Sequence, residues 1–280
     1  MKGNQWPLVV FTVLVQLAVG LFLVSGVVHY FLLSRFDANT FFIKSAVLGV
    51  IAILVVSMMI SLFHLGSPKN AVRSILNLGS SWLSAEIALV LLFLIVAIAY
   101  FLMLWLEMSV PGQIGFWCGS GIGLFLVYCM TRVYRLPTVP VWDSPATLVS
   151  FYRTTLLLGS VTAGGFLLVI HLVAAEKMAL VFQLLHLKTT FYWIICATLV
   201  MVVLDCTLVV ITRHRAKKLL RIVYSLMGLL SFSLSLFGVY YLQPNRWLVI
   251  LLVGIAVVSL LISQLIDRRL FYSMYKRPGF

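Results

Sequence analysis

The chain has 280 residues, of which 63% are hydrophobic and only 10% are charged, whereas soluble domains carry about 25% charged residues. So few charges cannot cover a water-facing surface, which excludes a soluble enzyme, a disordered protein and a nucleic-acid-binding domain. The net charge is +13, from 20 Lys and Arg against 7 Asp and Glu. Such an excess is typical of basic residues that flank membrane spans and contact anionic lipid headgroups. The composition predicts an integral membrane protein that contacts lipid and has no nucleic-acid partner.

Charge-free apolar runs predict the elements in chain order, because a helix needs about 20 apolar residues to cross a bilayer. The first run, 32 residues between Lys2 and Arg35, is longer than the roughly 15 residues of a signal-peptide core and is predicted to span the membrane. A transmembrane barrel does not fit, since its strands alternate apolar and polar residues. We predict eight spans, at residues 7–33, 41–65, 84–106, 113–132, 148–174, 189–212, 220–242 and 247–266.

The connections between these spans are short, the longest being 66–83 and 133–147. The predicted fold class is therefore all-α integral membrane, a bundle of eight transmembrane helices with short loops that forms one domain over residues 1–280. In the fourth span, glycines recur every four residues at Gly115, Gly119 and Gly123. This spacing favours close packing between helices over a ligand-binding role.

The distribution of basic residues predicts the orientation of the chain. With eight spans, both termini lie on one side of the membrane, here called the near side. Fifteen basic residues fall on the near side: Lys2, Lys69, Arg73, Arg132, Arg135, Arg153, Arg213, Arg215, Lys217, Lys218, Arg221, Arg268, Arg269, Lys276 and Arg277. Five fall on the far side: Arg35, Lys44, Lys177, Lys188 and Arg246. The bias predicts that the near side is the cytoplasm, although basic loops that dock an acidic partner would give the same pattern.

Polar groups inside a bilayer are functional candidates, because burying them there is unfavourable. Ser57, Ser61 and His64 form one stripe on the second helix, which a sharp stop at 66–68 ends, and Glu86 opens the third span on the same side. A histidine and a carboxylate at this depth suit quinol oxidation, since each can bind a quinol hydroxyl and accept its proton. The structural alternatives are a histidine that caps its helix and a carboxylate favoured by the helix dipole.

Other near-side polar residues extend this candidate site. Thr12 and Gln16 lie four residues apart on the first helix and either hydrogen-bond between helices or line the pocket. After the fourth span come Arg132, Tyr134 and Trp142. They are typical of an aromatic belt with snorkelling arginines, and they also suit the rim of a quinol pocket.

A second group of near-side residues is a candidate surface for docking a peripheral partner. Its members are Lys69, Arg73, Arg135 and Asp143. Asp205 lies inside the sixth predicted span, about two turns from its near-side end. An ion pair with an arginine, a protonated carboxyl and a place in a proton route are all open for this residue.

We predict neither a metal site nor a haem in this chain. The four cysteines, at 118, 129, 196 and 206, lie in apolar runs without a C-x-x-C motif, which is typical of structural thiols. His29 and His171 are predicted to lie at similar depth, but both are near helix ends, where they make poor haem ligands. An electron carrier would then belong to a partner or be a diffusible quinone.

Motifs spread along the chain have an order and spacing typical of one known family. They are Trp6-Pro7 with Phe11-Thr12 and Gln16; His64-Leu65-Gly66-Ser67-Pro68; Ser81-Trp82-Leu83-Ser84 with Glu86; Arg132-Val133-Tyr134 with Thr138-Val139-Pro140 and Trp142; and Phe271-Tyr272 after Arg268. Together they resemble the membrane anchor subunit of bacterial dimethyl sulfoxide reductase over nearly the whole chain. The departures lie mostly in loops and in the basic tail Tyr275-Lys276-Arg277.

The resemblance implies a three-subunit complex in the bacterial cytoplasmic (inner) membrane. A molybdopterin catalytic subunit would reduce an S-oxide or N-oxide, and a subunit with iron–sulfur clusters would relay the electrons to it. The anchor would bind and oxidise menaquinol, hold no haem, iron–sulfur cluster or molybdopterin, and not act on the S-oxide itself. The family's quinol-associated His and Glu carry over onto His64 and Glu86.

Three other functions compete with this interpretation. The anchor of a polysulfide or tetrathionate reductase would differ only in the acceptor that its catalytic subunit selects. A secondary transporter often has repeats and helices broken near the midplane, whereas the prolines here lie near predicted span ends, at Pro68, Pro111, Pro137, Pro140, Pro145 and Pro244. A lipid-modifying enzyme would need a metal cluster or several carboxylates, and the seven acidic residues are scattered.

Overall fold

The structure, a computed structural model, describes residues 6–32, 39–62, 81–135, 142–178 and 246–273, together with scattered positions between 200 and 234. Every regular element in these ranges is helical. The elements are α1 (Trp6–Val27, continued by a π-helical turn, Val28–Leu32), α2 (Asn39–Leu62), α3 (Trp82–Trp105), α4 (Ser109–Tyr134), α5 (Pro145–Met178) and α6 (Arg246–Ser273).

All six of these helices are long and apolar enough to cross a bilayer, as expected of a multi-pass membrane protein. Helices α1 to α5 confirm the first five predicted spans, and their ends differ from the prediction by a few residues. Most of the predicted spans 189–212 and 220–242 lies outside the described residues. The count of eight spans and the single domain therefore stay predictions.

Helix α6 extends beyond residue 266, the predicted end of the last span. It continues through three charged residues to Ser273. Two of these charges have partners inside the protein: Asp267 pairs with Arg153, and Arg268 donates a hydrogen bond to Gln16.

The chain forms two compact units. Unit 1 includes the described parts of Met1–Val19, Val47–Thr155 and Asp267–Phe280. Unit 2 includes those of Gly20–Ala46 and Leu156–Ile266. All the candidate site residues that the structure describes belong to unit 1.

The burial of the helices in unit 1 follows their sequence pattern. The first part of α1 is apolar all round and buried on nearly every side, as expected of a helix enclosed by others. Helix α3 instead buries one stripe, formed by Glu86, Val90, Phe93, Ala97 and Tyr100. Its other faces expose large apolar side chains, which suit a surface in contact with lipid.

Helices α3 and α4 pack against each other, and the glycine stripe of α4 makes their close approach possible. The predicted stripe is buried at Gly115, Gly119 and Gly123. A Cβ atom at Gly115 would lie 3.2 Å from the Tyr100 ring, and one at Gly123 would lie 3.2 Å from the Phe93 ring. The structure thus agrees with the packing role predicted for these glycines.

Short turns fix the ends of α3, α4 and α5. Between α3 and α4, Glu107 adopts a left-handed conformation with a φ of 58°, and the amide of Met108 donates to the carbonyl of Met103. Before α5, Ser144 accepts a hydrogen bond from the Ala146 amide at 3.2 Å, with Pro145 at the first helical position. These two turns lie at opposite ends of α4.

Candidate functional site

Glu86 lies in the first two turns of α3 and is 2% exposed. The inward stripe of α3 directs it toward the interior of unit 1, because it shares a face with Val90 and Phe93. Its Oε1 has no hydrogen-bond partner among the described residues. A carboxyl at this depth is unusual, so the predicted candidate is buried and retains an open acceptor position.

Arg268, on the last turns of α6, is a buried cation in the same unit. It is 2% exposed, and its Nη2 donates to Oε1 of Gln16 at 3.0 Å. The guanidinium carbon lies 3.6 Å from the centroid of the Phe151 ring, a cation–π contact that partly replaces lost hydration. These two contacts join the start of α1, the start of α5 and the end of α6 at one end of the unit.

Tyr272 and Tyr134 lie next to Arg268. Their ring centroids are 5.1 Å apart, and both side chains are buried. The Tyr272 hydroxyl has Tyr134 and Thr12 as polar neighbours and lies within electrostatic range of Arg268 and Glu86. No described protein atom completes a hydrogen bond with this hydroxyl. We call Thr12, Gln16, Glu86, Tyr134, Arg268 and Tyr272 the polar cluster.

An ion pair lies beside the polar cluster. Arg153 of α5 and Asp267 of α6 are 3.3 Å apart, measured from Nη2 to Oδ2. The Arg153 side chain is 4% exposed and that of Asp267 20% exposed. The pair gives α6 a fixed position relative to α5 and so orients Arg268, the next residue on α6.

Aromatic side chains close the near-side end of the cluster. Trp142 stacks on Phe271 with ring centroids 5.3 Å apart, and its Nε1 donates to the Phe271 carbonyl at 2.9 Å. Tyr134 meets Trp142 edge to face at 6.2 Å. Trp142, predicted as a pocket wall, therefore uses its donor to fasten the end of α6.

The predicted hydroxyl residues lie where the sequence placed them, but their donors are occupied. Thr12 donates to the carbonyl of Val9 at 3.0 Å and Ser57 donates to that of Leu54 at 2.7 Å, each within its own helix. Both are fully buried, whereas Ser61 is partly exposed. Such hydroxyls can still accept a hydrogen bond through their second lone pair.

Two arginines at this end each lie over a tryptophan ring. The Arg132 guanidinium lies 5.2 Å from the Trp82 ring centroid, and Arg269 lies 4.6 Å from that of Trp6. Both tryptophans are exposed, as expected of an interfacial belt. Arg135 and Asp143, predicted to dock a partner, form an ion pair of 3.1 Å at this surface. The docking role stays a prediction.

One protein family matches the sequence almost from end to end. A family model described as "DMSO reductase anchor subunit (DmsC)" matches residues 1–274. The chain belongs to this family. No solved structure matches it.

Curated relatives carry the same family's name. The sequence is 34% identical over 167 residues to the anaerobic dimethyl sulfoxide reductase subunit YnfH of Escherichia coli (strain K12), covering 59% of this chain and 58% of that protein. It is 34% identical over 190 residues to the C subunit of the anaerobic dimethyl sulfoxide reductase of Haemophilus influenzae, covering 67% and 64%. The match to the corresponding C subunit of Escherichia coli is 31% over 159 residues, covering 56% and 55%. The matched region thus spans less than two thirds of each relative.

Several predicted residues of this DmsC-family protein cannot be placed. His64, Lys69, Arg73 and Asp205 lie outside the described residues. The described residues contain no group of three or more His, Cys, Asp or Glu that could hold a metal ion. The absence of a haem stays a prediction, because the side chain of His171 is also outside the described part of the chain.

Sequence reasoning missed Arg268, Tyr272 and Arg153 as site residues. Arg268 and Arg153 were counted as near-side surface charges, and α6 was ended before Arg268. The sequence does contain a signal for two of them. If the helix continues past 266, Arg268 and Tyr272 lie four residues apart on one face of it. What the sequence could not show is that this face meets Gln16, which is 252 residues away.

Proposed function

We propose that this chain is the quinol-oxidising membrane anchor of an anaerobic dimethyl sulfoxide (S-oxide or N-oxide) reductase. The observation that supports the proposal best is the buried carboxyl of Glu86, with an open Oε1 and the polar cluster beside it, in a chain of the anchor-subunit family. The chain would lie in the bacterial inner membrane with its termini in the cytoplasm, as the charge bias favours.

Glu86 would act as a proton acceptor. Oxidation of menaquinol to menaquinone releases two electrons and two protons. An ionised Glu86 can accept a hydrogen bond from a quinol hydroxyl and then its proton as the electrons leave. His64, predicted on the same side one short loop earlier, would accept the second proton. The aromatic residues around Trp142 and Phe271 exclude water from this end.

The two electrons would pass to the nearest cluster of an iron–sulfur partner, and from there to a molybdopterin catalytic subunit. The exposed Arg135–Asp143 pair and the predicted Lys69 and Arg73 offer charged groups for docking that partner. Family membership and the predicted near-side position of the site support this proposal of partners and of menaquinol as the donor.

Glu86→Gln in the assembled complex tests the proposal, because glutamine keeps the shape and polarity of the side chain but cannot take a proton. We expect the quinol-dependent rate of dimethyl sulfoxide reduction, with menadiol as the donor, to fall by about a hundredfold or more. His64→Ala should impair the same rate. A reduced viologen dye gives electrons directly to the partner subunits, so its rate should stay unchanged.

Glu107→Gln is the matched control, because Glu107 lies in the turn between α3 and α4, at the other end of α3. It should leave both rates at the wild-type level. Wild-type menadiol rates in both Glu86→Gln and His64→Ala, with normal amounts of complex in the membrane, would contradict the proposal.

A further inference from the structure

We propose that Arg268 and Tyr272, at the end of α6, bind a ring oxygen of the quinol and of the product quinone as hydrogen-bond donors. This inference rests on the proposed function and deepens it. Glu86 gives the site a hydrogen-bond acceptor. Arg268 and Tyr272 would add hydrogen-bond donors.

The first argument is the accumulation of unsatisfied polar atoms. In the described part of unit 1, Arg268 Nε, Gln16 Nε2, Tyr272 Oη and Glu86 Oε1 are buried and have no partner. A buried polar atom without a partner is destabilising, and native proteins contain few of them. Their concentration in one cluster indicates that a ligand supplies the missing partners.

The second argument is the rigidity of Arg268. The Gln16 carbonyl oxygen accepts from Nη2 at 3.0 Å, and Phe151 covers one face of the guanidinium. The Arg153–Asp267 pair fixes the preceding turn of α6. A cation held this way keeps its remaining N–H groups in place before the ligand arrives, so less conformational entropy is lost on binding.

The third argument is the chemistry of the donors. Arg268 and the Gln16 amide nitrogen can only donate, and Tyr272 can donate through its hydroxyl. A quinone carbonyl oxygen accepts hydrogen bonds and has none to give, whereas a quinol hydroxyl can do both. The donors therefore match the ring oxygen in both redox states, while Glu86 matches the hydroxyl that gives up its proton.

A purely structural role is the competing explanation, in which Arg268 only fastens α6 to α1 and α5. That role accounts for the Gln16 and Phe151 contacts. It does not account for the open Arg268 Nε, or for a Tyr272 hydroxyl whose polar neighbours Tyr134 and Thr12 do not complete a well-aligned hydrogen bond with it. Tyr272→Phe distinguishes the two explanations, because it removes the hydroxyl and keeps the packing of the ring. It should weaken quinol binding if Tyr272 is a donor, and leave binding unchanged if the cluster is purely structural.

The test uses the assembled complex in membranes, with menadiol as the donor and menadione as the product inhibitor. For Tyr272→Phe we expect the KM for menadiol and the inhibition constant of menadione each to rise about fivefold, because one hydrogen bond is lost. For Arg268→Lys, which keeps the charge but loses the planar donors, we expect about a tenfold rise. Rates with a reduced viologen dye should stay at the wild-type level.

Matched controls separate this effect from general damage. Tyr152→Phe removes a tyrosine hydroxyl that donates to the Leu124 carbonyl. Arg269→Lys changes the exposed neighbour that lies over Trp6. Both controls should leave the two constants unchanged.

The outcomes distinguish this inference from the proposed function. If Glu86→Gln abolishes the menadiol rate while Tyr272→Phe and Arg268→Lys match the controls, the donor role is wrong and the anchor function stands. If Glu86→Gln and His64→Ala also have no effect, the proposed function fails with it. Should Arg268→Lys reduce the amount of complex, Tyr272→Phe alone decides: unchanged constants overturn the inference.

Discussion

Arg153 is a cation inside a membrane-spanning helix. Asp267 compensates its charge, which makes its burial there less unfavourable. The Arg153 side chain is almost fully buried, and the pair is separated by 3.3 Å. Removing one partner of such a pair leaves an uncompensated charge, whereas replacing both by apolar residues is often harmless. The pair is therefore expected to show strong coupling between its two members.

Asp267→Ala should lower the free energy of unfolding by about 3 kcal/mol, the lower end of the range for buried pairs, because Asp267 is partly exposed. The double variant Arg153→Met, Asp267→Leu should recover most of that loss. Thermal unfolding of the purified protein in mild detergent measures both. A double variant that is no more stable than Asp267→Ala would show that the two residues are not coupled.

The polar stripe of the second helix shows what residue-level reasoning could and could not predict. Ser57 is buried as its position on the helix indicates, but its hydroxyl donates to Leu54 within the same helix. Thr12 does the same with Val9. In an apolar environment a hydroxyl readily donates to a backbone carbonyl of its own helix. A polar stripe in the sequence therefore does not show which side chains are available to bind a ligand.

At the scale of helices, five spans could be read from the sequence because apolar length decides whether a segment crosses the membrane. The ends of the helices differ from the predicted bounds by several residues. The last predicted span stops before the charged residues, whereas helix α6 continues past them, and partners on other helices compensate two of these charges. Contacts such as that of Arg268 with Gln16, 252 residues apart, depend on how the helices associate, which periodicity does not encode.

Close approach of α1 and α5 within unit 2 depends on one glycine. A Cβ atom at Gly159 would overlap the backbone of Gly20 and lie 2.6 Å from its Cα. Backbone atoms cannot move aside as a flexible side chain can, so Gly159→Ala should force the two helices apart. We expect a loss of about 1–3 kcal/mol in the free energy of unfolding.

Gly121→Ala is the control for this prediction, because a Cβ atom there meets nothing within 4 Å. Alanine favours a helix over glycine by about 1 kcal/mol, so this variant should be neutral or slightly more stable. Detergent unfolding curves of the two variants, measured side by side, check the difference. Equal stability of both variants would contradict the close contact.

At the scale of the whole molecule, the structure changes the charge count behind the orientation. Arg153 and Arg268 are buried inside the protein. Without them, thirteen near-side basic residues still stand against five on the far side. The excess of basic residues therefore still predicts that the near side is the cytoplasm.

Cysteine labelling in intact cells tests this orientation. In a background where the four native cysteines are replaced by alanine, Glu107→Cys should react with a membrane-impermeant maleimide added outside the cell. Asp143→Cys, at the other end of α4, should react only after the cells are opened. The reverse pattern would place the near side, and with it the candidate site, outside the cytoplasm.

The contact between Gln16 and Arg268 also constrains biogenesis. The ribosome makes α1 first, and Arg268 is added 252 positions after Gln16. Until then Gln16 lacks this partner, and early intermediates in the membrane carry an incomplete cluster. A polypeptide that lacks α6 also lacks Arg268 and Tyr272, so its polar cluster is incomplete. Synthesis of the last described helix is thus the step that completes the polar cluster.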